Sequence, residues 1–245
     1  MSRGTAEPTG TQHPQEKAST TRGVVRWLLR IAIFVLIFAA SLFLAAGSLA
    51  WPMGWVYVGL LLADKVVAAL VLIPRHPELL THRVRSEGPR DLDRFLAGIM
   101  ALYGPVATLV VAGLDFRLDW SPQIPSAIQI GAVILAALGS LLTIWAMASN
   151  QHFYGVVRIN REEGHDVATT GPYRIVRHPG YVGAILFQLA TPLILGSLWA
   201  LIPAVLAVSA TIVRTALEDR TLQAELDGYR EYAQETRSRL VPGVW

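Results

Sequence analysis

The chain has no cysteine among its 245 residues. No disulfide framework, thiolate metal site or cysteine nucleophile is therefore open to it. Charge is scarce as well. Asp, Glu, Lys and Arg make up 16% of the residues, against ~25% in soluble globular domains. The net charge of +3 is small and no metal-ligand spacing occurs, so neither a metal nor a nucleic acid is an expected partner. There is no internal repeat.

What the chain has instead is apolar sequence in long runs. Apolar residues make up 53% of it, and the mean hydropathy is +0.43. The runs are too continuous for an amphipathic surface helix, which predicts an integral membrane protein. Residues 1–23 carry almost no large apolar side chain. They cannot bury enough surface to offset the entropy of ordering, and read as a disordered cytoplasmic tail. Residues 24–245 read as a single integral-membrane domain.

The first expected span is Ile31 to Ala50, preceded by Arg22, Arg26 and Arg30. Ser48-Leu49-Ala50 looks like a signal-peptidase site, but the apolar part of a signal peptide is only ~7–15 residues, so the run suits a spanning helix better. Trp51-Pro52 and Trp55 mark an interfacial break. Gly54 to Ile73, Phe95 to Gly113 and Ser126 to Ser149 are the next three spans. They are separated by the polar connection Pro74 to Arg94 and the turn-rich Asp115 to Pro125. The last apolar run, Val182 to Val213, is too long for one span of ~20 residues and too short for two. Pro192, Gly196-Ser197 and Pro203 interrupt it. A tight helical hairpin turning near Gly196 is expected, its inner ends extended by polar helix; one long kinked helix is the alternative. From Leu217 to Arg237, apolar residues recur at three- and four-residue spacing, which predicts an amphipathic helix. The expected fold is all-α and polytopic, with about six crossings: four spans plus the C-terminal hairpin.

Basic residues set the expected orientation. With six crossings, all 21 Lys and Arg residues except Arg117 and Lys65 fall on one side. The positive-inside rule places that side, with both termini, in the cytoplasm. The Ala-, Arg- and Leu-rich composition suits a bacterial plasma membrane.

Between the fourth span and the hairpin lies the stretch the chain is organised around. From His165 to Tyr181 it reads H-D-V-A-T-T-G-P-Y-R-I-V-R-H-P-G-Y. Gly171, Pro172, Pro179 and Gly180 interrupt regular structure and free backbone donors and acceptors. At membrane depth such backbone is tolerated only where it is buried or lines a cavity. Taken alone, His178 could cap the helix that follows, and the tyrosines could be interfacial anchors.

Gly171-Pro172-Tyr173-Arg174, Arg177-His178-Pro179-Gly180-Tyr181 and Gly183 are followed by Arg214, Glu218 and Asp219, then Tyr229, Tyr232 and the ending R-L-V-P-G-V-W. Together they resemble the isoprenylcysteine carboxyl methyltransferase family and the related phospholipid N-methyltransferases, integral membrane enzymes that use S-adenosyl-L-methionine. The resemblance covers residues 145–245; the earlier spans match only in number and hydropathy. Arg75-His76-Pro77 is a second R-H-P, followed by Glu-Leu-Leu, and reads as a solvated loop. The resemblance implies cofactor contacts at His165, Asp166, Val167, Ala168, Tyr173, His178, Pro179, Gly180, Tyr181 and Glu218, and a substrate contact at Arg214. It places the cofactor-binding part at residues 150–245. A glutamine of the family pattern is Arg158 here, and its Glu-Glu is Glu218-Asp219. His178 and Tyr181 bring donors and acceptors, and Tyr173 and Tyr181 offer rings for adenine.

Arg214 and Glu218 are four apart on one helix and share a face; an ordinary intrahelical ion pair would explain them too. Asp64 and Lys65 lie mid-span, where a charge costs ~2.5–3.5 kcal/mol, and either pair with each other or face a substrate. Asn150, Gln151 and His152 line a cavity or cap the fourth span. The expected reaction is methyl transfer to a membrane-embedded lipidic acceptor, most simply a carboxylate that becomes a methyl ester. Phospholipid or small-amine N-methylation, an NADPH-dependent sterol-type reductase and a non-enzymatic lipid-binding protein are the alternatives. Those reductases share R-H-P-x-Y-x-G, but many place an acidic residue after that glycine, where this chain has Ala184.

Overall fold

The computed structural model describes residues 14–75, 91–150, 153 and 166–245. The described residues are helices and connections, with no strand among them. In chain order the helices are α1 (Pro14–Ala46), α2 (Pro52–Arg75), α3 (Asp91–Leu118), α4 (Ser126–Ala148), α5 (Pro179–Ile194), α6 (Leu201–Glu225) and α7 (Tyr229–Glu235). α3 contains a π-helical turn at Ile99–Tyr103. Five helices are long and apolar enough to cross a membrane: Trp27–Ala46 of α1, then α2, α3, α4 and α6; α5 is a shorter apolar helix. The protein is an all-α polytopic membrane protein.

The hairpin turns where the sequence breaks. α5 ends at Ile194, Gly196 takes φ +74° and α6 starts at Leu201. The turn is pinned to the loop between α3 and α4 by Asp115, buried at the end of α3. Asp115 accepts from the Ser121 amide at 2.7 Å, from the Ser121 hydroxyl at 2.5 Å and from the Ser197 hydroxyl. The Leu198 amide donates to Ser121 Oγ at 2.9 Å. Both connections therefore lie at the same end of the bundle.

Close helix contact depends on small residues, as it does where lipid rather than water surrounds a bundle. Gly139 of α4 faces Gly183 of α5, and a Cβ on Gly139 would stand 2.6 Å from the Gly183 carbonyl oxygen. Gly104 of α3 sits against Ala207 of α6 in the same way, 2.5 Å from a would-be Cβ to the alanine methyl. The core between these contacts includes Leu42, Leu109, Ala136, Ala190 and Ile194. Large apolar side chains such as Leu44, Leu70, Ile134, Leu138, Val205 and Leu206 point outward, as lipid-facing residues do.

Three boundaries differ from the expected ones. α1 starts at Pro14, inside the stretch assigned to a tail, and its apolar span ends at Ala46 rather than Ala50 because Gly47 closes the helix with φ +64°. The third span extends past Phe95 and Gly113 in both directions. The amphipathic stretch from Leu217 to Arg237 is not one helix. α6 ends at Glu225, Leu226 is extended, Gly228 takes φ +79°, and α7 starts a new direction. The spacing of Leu222, Leu226, Tyr229 and Tyr232 records a shared buried face, not a continuous axis. Asp64 and Lys65 of α2 pair with each other at 2.8 Å, with the Lys65 ammonium 5.6 Å from the Phe34 ring centroid.

Gly183→Ala is expected to overpack the α4–α5 contact and cost ~1–3 kcal/mol. Gly131→Ala on α4, where a Cβ meets nothing within 4 Å, should leave the melting temperature in detergent unchanged. Equal melting temperatures for both variants would refute the tight contact. Six crossings require reporter fusions after Ser121 and after Trp245 to report opposite sides of the membrane, and the same side for both would remove the hairpin from the crossing count.

Candidate functional site

The two arms of the hairpin bring the motif residues level. Tyr181 on α5 and Arg214 on α6 are each thirteen residues from the turn end of their helix, about 20 Å at 1.5 Å per residue. The Arg214 guanidinium accordingly lies 5.7 Å from the Tyr181 ring centroid. One turn further along α6, Glu218 accepts a 2.5 Å hydrogen bond from the Tyr181 hydroxyl. The His178 ring stacks on Tyr181 with centroids 5.8 Å apart, and its Nδ1 is 4.0 Å from Glu218. Four residues named from the sequence, His178, Tyr181, Arg214 and Glu218, thus form one contiguous group. Pro179 and Gly180 are buried beneath it, with Pro179 in the first turn of α5, where its missing N–H costs nothing. A Cβ on Gly180 would reach within 2.8 Å of the Phe153 ring, so the loop side and α5 meet there without a side chain between them.

Behind this group stands Asp219, fully buried. Its Oδ2 accepts from Arg177 at 3.1 Å, from Arg239 at 2.8 Å and from Gln223 at 2.8 Å. Its Oδ1 accepts from the Tyr229 hydroxyl at 3.1 Å and lies 3.4 Å from His178 Nε2. Arg177 Nε is also 2.8 Å from Oδ1, with its N–H off the hydrogen-bond axis, so that contact is Coulombic. His178 occupies the residue before α5, but its side chain makes no capping hydrogen bond and turns to Asp219 and Tyr229 instead. The simple helix-cap explanation of His178 does not describe it.

The C-terminal segment closes over the loop. Arg177 donates from Nη1 to the Ala233 and Thr236 carbonyls, both at 3.2 Å. The Arg177 amide donates to Ser238 O at 2.9 Å, and the His178 amide to Arg239 O at 3.0 Å. These two loop amides, which the sequence makes available to a ligand, are already committed to the chain's own C-terminus. Arg239 lies 5.1 Å from the Trp245 ring, and the Leu240 and Val241 amides both donate to Trp245 O. The ending R-L-V-P-G-V-W is therefore a folded element.

Tyr173 is buried in a small cluster with Tyr229, Tyr232, Leu226 and Ala146, against which Val167 and Ala168 pack. Its carbonyl accepts from the Tyr232 hydroxyl at 2.7 Å, and its hydroxyl accepts from Asn150 at 3.3 Å. Burial pushes the Tyr173 phenol up to about 12. Tyr229 is pushed up further by burial and by the Asp219 carboxylate. Both stay neutral donors near pH 7. Tyr173 therefore has a packing position, whereas Tyr181 is the ring beside the charged groups. Asp166 is exposed. His165, Arg158, Gln151, His152, His76 and Pro77 lie outside the described residues.

The sequence reading missed a partner of Arg214. Asp93, near the start of α3, holds Arg214 Nε at 2.8 Å. It also treated Arg177 only as part of the motif, and Asp219 only as a shortened carboxylate.

Residues 127–226 match the phospholipid methyltransferase family. Among curated relatives, the chain is 26% identical over 111 residues to a probable protein-S-isoprenylcysteine O-methyltransferase of Oryza sativa subsp. indica, covering 44% of this chain and 58% of the rice protein. It is 37% identical over 73 residues to protein-S-isoprenylcysteine O-methyltransferase of Schizosaccharomyces pombe, covering 29% of this chain and 31% of the yeast protein. With protein-S-isoprenylcysteine O-methyltransferase B of Arabidopsis thaliana it shares 36% over 59 residues, 24% of this chain and 30% of the plant protein. The alignments thus span less than two thirds of these relatives. The matched stretch contains α4 from its second residue, α5 and α6, and with them every member of the His178–Tyr181–Arg214–Glu218 group. Arg239 and the C-terminal strap fall beyond it.

Asp219→Ala removes the shared acceptor of two arginines and leaves the buried Arg177 charge uncompensated, which is expected to cost ~3–5 kcal/mol. Thermal unfolding in detergent should show a clear drop in melting temperature for Asp219→Ala and little change for Glu218→Gln. A drop of equal size in both would mean that the two carboxylates share the load.

Proposed function

We propose that this protein transfers a methyl group from S-adenosyl-L-methionine to a lipidic acceptor, most simply to a carboxylate, giving a methyl ester. The observation that carries the reading is the single, largely buried group formed by Arg214, Tyr181, Glu218 and His178 where the hairpin meets its polar loop. When bound, the cofactor supplies a methyl on a sulfonium, and its transfer to a carboxylate oxygen leaves a neutral thioether and a neutral ester. The donor set suits that ligand. Glu218 is partly open to solvent and carries a carboxylate for a cationic group, and Tyr181 offers an aromatic face.

The chain's own residues supply position and dryness. A guanidinium at Arg214 attracts an anionic group through paired N–H donors. The hairpin walls exclude water, which strengthens that attraction. Oriented reactants gain an effective molarity of ~10⁵–10⁸ M. A carboxylate acceptor needs no general base. α6 exposes Val205, Leu206, Ile212 and Val213 on its outer side, an apolar surface suited to the bilayer that holds a lipidic acceptor. With both termini cytoplasmic, the loop side and its cofactor face the cytoplasm.

A second reading, methylation of a lipid amine, is favoured by one observation: Asp93 and Glu218 both flank Arg214. The two readings part on substrate. Purified protein in nanodiscs should methylate an S-prenylated cysteine carboxylate and not phosphatidylethanolamine; the opposite outcome would select the amine.

Binding separates the roles inside the site. His178→Ala and Tyr181→Ala should weaken S-adenosylmethionine binding by calorimetry, while His76→Ala, in the second R-H-P, should not. Arg214→Ala should leave cofactor affinity nearly unchanged and impair the acceptor. Glu218→Gln should strike the cofactor first, by roughly ten- to a hundredfold for one charge-assisted contact. Loss of cofactor binding in Arg214→Ala as deep as in Glu218→Gln would remove this division of labour.

A further inference from the structure

Asp93 stands on a helix outside the family-matched stretch, yet it reaches the middle of the group. Its Oδ1 accepts from Arg214 Nε at 2.8 Å, and the two side chains are largely buried. Its Oδ2 is buried and takes no hydrogen bond among the described residues. A carboxylate kept half-satisfied in a buried place is a poor way to gain stability, because desolvation offsets much of the pair's attraction. The geometry suits another purpose. Asp93 engages the guanidinium at Nε, its inner edge, while the Tyr181 ring lies 5.7 Å from Cζ and the Tyr181 hydroxyl is tied to Glu218. A free arginine side chain samples many rotamers. Fixing one edge against α3 and a face toward α5 leaves the guanidinium a narrow range of orientations.

We infer that Asp93 is the positioning residue for the acceptor: it holds the Arg214 guanidinium against Tyr181 in the orientation that receives the acceptor's anionic group. This rests on the carboxylate reading of Arg214 given above. It also gives α3 a direct part in acceptor binding, although the conspicuous motifs lie on α5 and α6. Asp93 touches neither reacting atom; it acts through Arg214.

The test uses full-length protein in nanodiscs and equilibrium binding, so it does not depend on turnover. The probes are an S-prenylated cysteine with a free carboxylate, its methyl ester, and S-adenosylmethionine. Asp93→Asn keeps the shape and removes the charge; Asp93→Ala removes both; Asp93→Glu restores the charge. Asp93→Asn and Asp93→Ala are expected to weaken the carboxylate probe roughly tenfold or more, with Asp93→Glu recovering part of the loss. The ester and S-adenosylmethionine should bind each variant as they bind the wild type. In combination with Arg214→Ala, Asp93→Ala should add nothing further. Equal loss for carboxylate and ester, or a parallel loss of S-adenosylmethionine, would show that Asp93 only staples α3 to α6 and would overturn the inference. Unchanged carboxylate binding in all three variants would overturn it as well. Wild-type protein that binds the carboxylate no more tightly than the ester would instead sink the carboxylate reading, and the role of Asp93 with it.

Discussion

A buried carboxylate with five partners ties the site half of this molecule together. Asp219 is on α6, Arg177 and His178 precede α5, Tyr229 is on α7 and Arg239 is in the C-terminal strap. Taking one carboxylate and two guanidinium groups out of water is expensive, and the expense is recovered only when nearly every lone pair and N–H finds a partner. That condition makes the arrangement all-or-none. The loop cannot keep its conformation without the strap, because the Arg177 and His178 amides and the Arg177 side chain all donate into it. The strap in turn reaches Asp219 through Arg239.

The hairpin supplies the other constraint. α5 has sixteen residues, about 24 Å at 1.5 Å per residue, against a hydrocarbon thickness of ~30 Å. With the hairpin turn at one membrane surface, its start, and the loop joined to it, would sit below the other surface rather than on it. Irregular backbone at that depth must be covered by protein. α7, the Tyr173–Tyr229–Tyr232 cluster and the C-terminal strap provide that cover. A short helix and a long polar C-terminus are thus two parts of one solution. They place polar chemistry within the apolar layer without exposing it to lipid.

Much of this can be read from the sequence because it obeys one-dimensional rules. Uninterrupted apolar runs mark the spans, and Gly196 with two prolines marks the hairpin. Once the turn is placed, Tyr181 and Arg214 are level, and Arg177-His178 and Glu218-Asp219 follow one turn on. The partners that sequence does not disclose are joined across long separations by single side chains. Asp93 and Arg214 are 121 residues apart, and no periodicity on α3 distinguishes Asp93 from an ordinary acidic residue in the first turn of a helix, where the helix dipole alone would favour it. The break at Gly228 escaped for a related reason. Helical spacing persists across it, because both α6 and α7 turn the same apolar face to the loop; the pattern reports burial and is silent on direction.

The charges around Arg214 bear on how tightly an acceptor should be held. A lone buried guanidinium would bind a carboxylate strongly before reaction and no more strongly at the transition state, which lowers the substrate requirement without raising the rate. In the proposed reaction, negative charge on the acceptor and positive charge on the cofactor vanish together. A site that clings to the carboxylate therefore opposes the chemistry. Asp93 fixes the orientation of the guanidinium at Nε, while Glu218, one turn on, tempers its field. The guanidinium is left strong enough to orient an anion, yet able to let a neutral ester go. On this view the carboxylate of Glu218, one turn from Arg214, follows from a reaction that consumes the charge by which its substrate is recognised.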